Sequence, residues 1–211
     1  MEEVGLEVTP NKTFVEKMDY SILALLILVF SFYIIYGYYA NGHSFKNFGS
    51  LLMHSGRLVT DFTVTEGFPM VMINMGILGF IALALIFLMF PYINGPILSG
   101  LLTLIGFSGF GKHLKNVLPI IAGVSLSYII FGKNISVTSF AITLFFSTCL
   151  APISGKFGII PGIIVGFVNF CLVLNMGALH GGLNLYNTGL SAGIVASVSV
   201  PILQLFYGGK K

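Results

Sequence analysis

Two uncharged apolar runs, residues 20–40 and 68–92, set the limits on what this chain can fold into. A bilayer core about 30 Å thick is crossed by about 20 apolar residues in a helix, and each run meets that length. Composition points the same way. Of 211 residues, 56% are hydrophobic and 8% charged, against about 25% charged in a soluble domain, so too little charge remains to cover a globule. Twenty Phe and nine Tyr exclude disorder. The 26 Gly and eight Pro suit membrane helices better than soluble ones. The expected fold class is an all-α integral membrane protein whose main partner is the lipid bilayer. A net charge of +3, scattered along the chain, gives no nucleic-acid footprint.

The polar segment 1–19 lacks a basic start and a small-residue cleavage site. Run 20–40 is therefore expected to be a retained transmembrane helix and not a signal peptide. Residues 41–67 form the most polar internal stretch. Leu51, Leu52, Leu58, Val59 and Phe62 recur at near-helical spacing beside His54, Arg57 and Asp61, which predicts an interfacial amphipathic helix. On such a helix Arg57 and Asp61 pair at i+4, and with Glu66 they are candidate gate or ion-coupling groups.

The core runs from 68 to 207, followed by a basic tail at 208–211. Beyond residue 92 the apolar runs shorten and are cut by Asn-Gly-Pro, Gly-Phe-Gly-Lys, Ala-Pro and Gly-Gly. Breaks of this kind survive in a membrane only inside protein or beside a water-filled cavity, and they mark the discontinuous helices of transporters. The reading is four to six spanning helices plus half-helices near 97–110 and 137–150, one inverted-repeat-type half of a transporter or channel. Six or seven ordinary kinked spans are the alternative. With half-helices, Lys12, Lys17, Lys112 and Lys115 fall on one side and the other Lys and Arg residues on the opposite side, a weak orientation signal.

Two uncharged polar clusters are candidates for lining a solute path. The first is Asn94, Pro96, Ser99 and Thr103. Asn94 caps a helix whose first turn accepts Pro96, and Ser99 and Thr103 share a face. The second holds His180, Asn184, Tyr186, Asn187 and Thr188, with Ser191 beyond. Amides and hydroxyls are costly to bury unless bonded to one another or to a passing solute. His180 titrates near neutral pH. Asn74, Asn169 and Asn175 read as hydrogen-bonding glue between helices. Gly158, Gly162 and Gly166, and likewise Gly189, Gly193 and Ser197, read as close-packing faces.

Asn-Gly-Pro-x-x-Ser-Gly-Leu-Leu at 94–102 and Gly-Leu-x-x-Tyr-Asn at 182–187 resemble local motifs of urea transporters, which implies passage of a urea-like solute. The Leu-Pro-x-x-Thr-x-Pro-Phe motif of those transporters has no counterpart here. A longer resemblance runs from Arg57 to Asn187. It is carried by Arg57-Leu-Val-Thr-Asp-Phe, Asn74-Met-Gly, Asn94-Gly-Pro, Gly109-Phe-Gly-Lys-His-x-Lys-Asn, Leu150-Ala-Pro-Ile-Ser-Gly and His180-Gly-Gly-Leu-Asn-Leu-Tyr-Asn. It is to an uncharacterised bacterial family of multi-pass membrane proteins, a domain of unknown function. Members of that family look like two repeats, and this chain is similar to the second. The resemblance implies a bacterial inner-membrane location and a unit completed by a second copy, as a parallel or antiparallel homodimer or a higher homo-oligomer.

No nucleophile elbow, H-E-x-x-H or paired Cys/His motif occurs, so neither catalysis nor a metal or cofactor is expected. Gly106-Phe-Ser-Gly-Phe-Gly-Lys-His lacks the Ser/Thr that a phosphate loop needs after its Lys. The expected function is a channel or transporter for a small polar, uncharged solute. An H⁺- or Na⁺-coupled transporter, or a silent assembly subunit, is the alternative.

Overall fold

The computed structural model describes residues 20–57, 60–132, 135–180 and 184–207, with the side chains of 177–180 and 184–186 outside the description. It is all-helical, with no strand among the described residues. Long helices are α1 (Tyr20–Ala40), α4 (Phe68–Met89), α6 (Leu114–Phe131), α9 (Ile159–His180) and α10 (Asn184–Tyr207). Shorter ones are α2 (Phe48–Leu51), α3 (Phe62–Thr65), α5 (Gly95–Gly106), α7 (Val137–Phe146) and α8 (Ala151–Phe157). Six helical segments are long and apolar enough to cross a membrane, one of them composite. Their outward faces are apolar, as in Leu88, Ile129 and Leu205, each at least 73% exposed, as suits helices that face lipid. The chain is a multi-pass membrane protein.

The composite span corrects one expectation. Residues 137–150 do not end as a half-helix: α7 passes through a 3-10 turn, Ser147–Leu150, directly into α8. Together they make one 21-residue apolar segment, Val137–Phe157. The other expected half-helix is short as read. α5 has 12 residues and the 3-10 turn after it three, a rise of about 22 Å that falls short of a bilayer core. The loop at 52–57 makes up the difference by reaching in to meet its end. Gly56 and Gly111, both at positive φ (77° and 117°), pack backbone to backbone, and a Cβ on Gly111 would lie 2.6 Å from the Gly56 carbonyl oxygen. Any side chain at either position would separate the loop from the helix end.

The stretch 41–67 is likewise not one amphipathic helix. It holds two single-turn helices, α2 and α3, and the described residues between them, 52–57 and 60–61, are not helical. Leu51 and Phe62 are fully buried as the apolar spacing requires, whereas Leu58 and Val59 lie outside the described residues. Without a continuous helix Arg57 and Asp61 lose their i+4 register. Asp61 instead caps α3, accepting from the Thr63 N–H at 2.8 Å and the Thr63 hydroxyl at 2.6 Å. These bonds hold its carboxyl below the usual range.

α1 packs against α4, where Gly37, Gly76 and Gly79 admit the facing chain. α6 packs alongside α9 through Gly123 and Gly166, each against a carbonyl oxygen of the other helix. The Gly162 and Gly166 part of the expected small-residue stripe is therefore a packing face, while Gly158 (φ 103°) ends α8. Among the described residues nothing lies within 4 Å of a Cβ built at Gly189 or Gly193, so that part of the stripe on α10 packs against none of them.

All charged side chains among the described residues (Lys46, Arg57, Asp61, Glu66, Lys112, Lys115 and Lys156) belong to segments at one end of the bundle. This is the end where the loop 52–57 meets residues 111–113 and Gly155. The half-helix reading had set Lys112 and Lys115 apart from Lys156. Because α5 carries the chain to the loop end, they join it there.

Candidate functional site

The composite span breaks at its centre, and polar side chains collect at that break. Ser147 and Thr148, on the 3-10 turn, are fully buried. From the middle of α9, Asn169 donates its amide to the Ser147 hydroxyl at 2.8 Å, and its own carbonyl oxygen is buried without a hydrogen-bond partner. From the end of the short helix, Lys112 reaches back into the bundle. Its ammonium donates to the Thr148 hydroxyl at 2.8 Å and lies 5.0 Å from the Phe107 ring centre. Thr148 in turn donates to the Phe145 carbonyl, which fixes it as the acceptor from Lys112.

Lys112 is 8% exposed, and no carboxylate among the described residues pairs with it. Burial pushes its pKa down to about 8, because a desolvated ammonium favours the neutral form. Its backbone is held as firmly. Asn74, fully buried on α4, donates both amide hydrogens, to the Ser108 and Lys112 carbonyls, each at 2.8 Å. Asn116 donates to the Gly111 carbonyl at 2.9 Å and accepts from the His113 N–H at 2.9 Å. A cavity of about 200 Å³ opens on this region, lined by Lys112, Cys149, Phe107, Phe110, Gly56 and Pro152.

α10 completes the arrangement by packing against α7 and the 3-10 turn. On it Asn187, Thr188 and Ser191 are buried, and the Asn187 carbonyl oxygen has no hydrogen-bond partner. Asn74 also leaves its carbonyl oxygen unpartnered. Three buried amide acceptors without donors, on α4, α9 and α10, are uncommon in a folded interior.

The two expected clusters are placed differently. Asn94 caps α5 through the Ile97 N–H at 3.1 Å and donates to the Thr138 hydroxyl at 2.8 Å. Pro96 and Ser99 are exposed, and Thr103 is half-buried. Asn187 and Thr188 face the interior, whereas the side chains of His180, Asn184 and Tyr186 lie outside the described residues. α7 lies against both α5, which carries the first cluster, and α10, which carries Asn187 and Thr188. Of the candidate coupling groups Arg57 is exposed, while the Glu66 side chain is 6% exposed and bonds to His54 Nε2 at 2.6 Å and the Ser50 hydroxyl at 2.9 Å.

Sequence reasoning did not bring Thr148 and Lys112 together. The signal was the 3-10 turn, hidden because Ser-Thr-Cys-Leu continues an apolar run. Asn169 does bond between helices as read, and so does Asn74. Among the described residues Asn175 bonds to the Cys171 carbonyl of its own helix and to no other helix.

The family described as "Protein of unknown function (DUF1576)" matches residues 40–205. The chain belongs to this family. The match takes in every element from the end of α1 to the last turn of α10, and so the whole polar centre. No curated protein and no solved structure matches the chain.

Proposed function

We propose that this DUF1576 protein carries a small polar, uncharged solute across a membrane, along a path that passes the break at Ser147–Leu150. The break is the observation that carries the reading. Transporters bind their solutes where helices are interrupted near the bilayer midplane and backbone and side-chain groups are freed for the solute. Here the interruption sits at the centre of a 21-residue span. It is lined by Ser147, Thr148 and Asn169, with an amide acceptor left over. Amides and hydroxyls replace the hydration of an uncharged solute at several weak sites, which allows both entry and exit.

Urea-like selectivity rests on the motif resemblance at 94–102 and 182–187. Assembly from two or more copies is supported by the open Gly189–Gly193 face of α10, which admits another helix closely. Gathering of the described cations at the loop end supports a cytoplasmic position for that end, and the family resemblance supports a bacterial inner membrane. A second reading, proton-coupled transport, is favoured by Lys112, a buried ammonium holding its proton at about 8.

The test is stopped-flow light scattering on proteoliposomes with urea, acetamide, glycerol and formate. Fast flux of one uncharged solute, reduced at least tenfold in Asn169→Leu and unchanged in Leu88→Ala on the outward face of α4, supports the channel. Flux that appears only under a pH gradient supports the coupled reading. Absence of flux under both conditions, from folded protein, overturns both.

A further inference from the structure

A second cavity, of about 320 Å³, opens at the loop end between the N-termini of α6 and α9 and the end of α8. It is separate from the polar centre and is lined by polar groups that the described residues leave without partners. Two of its lining side chains are buried with a polar atom left over. Ser154 is 4% exposed and its hydroxyl has no hydrogen-bond partner. His113 is 1% exposed; its Nε2 donates to the His54 carbonyl at 2.9 Å, which leaves Nδ1 as an unpartnered acceptor.

Two further lining residues are cations without anions. The Lys115 ammonium is 3.4 Å from the Met53 sulfur, and the Lys156 ammonium is 4.9 Å from the Phe157 ring centre. Neither pairs with a carboxylate among the described residues. The two described acidic groups at this end are engaged elsewhere, Glu66 with His54 and Ser50 and Asp61 with Thr63. Ile159, also on the wall, opens a 22-residue helix; Pro161 has no N–H and Gly162 donates to the Gly158 carbonyl, which leaves the Ile159 and Ile160 N–H groups without partners within the helix and favourable to an anion.

We infer that this cavity binds a phosphate ester, its phosphoryl group held by Lys115, Lys156 and the Ser154 hydroxyl. Two ammonium groups, a hydroxyl donor and a helix N-terminus together suit a tetrahedral anion bearing more than one negative charge. His113 Nδ1 accepts from a P–OH or from an alcohol O–H of the ester. The apolar part of the wall, Met53 and Phe157 among it, takes the carbon chain that a bare phosphate lacks. The ester comes either from a lipid headgroup or from a soluble phosphorylated metabolite, since both present the same phosphoryl group at this end.

The experiment uses the full chain in phosphatidylcholine nanodiscs. In one arm glycerol phosphate and inorganic phosphate are titrated calorimetrically. In the other, phosphatidic acid is doped into the disc and its retention is read by native mass spectrometry. Saturable binding in one arm, weakened at least tenfold in Lys115→Gln/Lys156→Gln and also in Ser154→Ala, is the expected result, and the arm that responds names the source. Ser154→Ala removes no bond within the chain, so its fold is retained. Absence of binding in both arms, or binding equal in wild type and all variants, overturns the inference. Flux measurements are not involved, so this result stands apart from the transport reading.

Discussion

Lys112 is costly where it stands, and the cost can be measured. Its folded pKa of about 8 against an ordinary 10.5 corresponds to about 3 kcal/mol of preference for the neutral form over the charged one. The sign follows from proton counting. Between about pH 8 and 10.5 the unfolded chain holds the Lys112 proton and the folded one has released it, so stability rises with pH across that window. Below it the folded state carries the full penalty. Lys112→Met keeps the length and removes the charge. It forfeits the bond to Thr148 and the contact with Phe107, together about 1–2 kcal/mol. Thr148 stays satisfied because it still donates to Phe145. The net expectation at pH 7 is a gain of about 1–2 kcal/mol, or roughly 2–8 °C in Tm for a domain of this size. The assay is thermal unfolding in detergent at pH 7 and pH 10.5, with the variant's advantage shrinking at the higher pH. A variant that melts below wild type by the same margin at both pH values would refute the reasoning, because a bound anion would then be compensating the ammonium.

Two further outcomes follow from the packing. Asn74→Leu leaves the Ser108 and Lys112 carbonyls without donors, and thermal unfolding should record a loss of about 2–4 kcal/mol. A Cβ at Gly123 would collide with the Ile163 carbonyl. Gly123→Ala should therefore force α6 and α9 apart at about 1–3 kcal/mol, while Gly193→Ala, in open space, leaves Tm level or slightly raised.

Much of the fold was legible because the membrane imposes long, uncharged runs. α1 and α4 begin where the apolar stretches at 20–40 and 68–92 begin, since neither a charge nor a turn residue interrupts them. The short helix at 95–106 was legible from Asn94 and Pro96, whose capping chemistry is local. Residues 137–157 were misread because Ala-Pro at 151–152 looks like a terminator. Pro152 instead enters α8 in its first turn, where its missing N–H costs nothing. The stretch around Leu51 and Phe62 was misread because helical spacing of apolar residues also arises when two separate turns each bury one of them. The candidate site was least legible of all. Lys112, Thr148 and Asn169 come from three segments, and only the packed bundle brings them to one place.

The central claim is that the break at Ser147–Leu150 faces water and not lipid. Cys149 sits on that turn, exposed, on the wall of the Lys112 cavity. With Cys171→Ser as background, sealed proteoliposomes would be treated with a charged, membrane-impermeant methanethiosulfonate and, separately, with a permeant maleimide. The account predicts that the impermeant reagent modifies Cys149 and that solute flux falls as it does so. Modification by the permeant maleimide alone would place the turn against the lipid and contradict the proposed path.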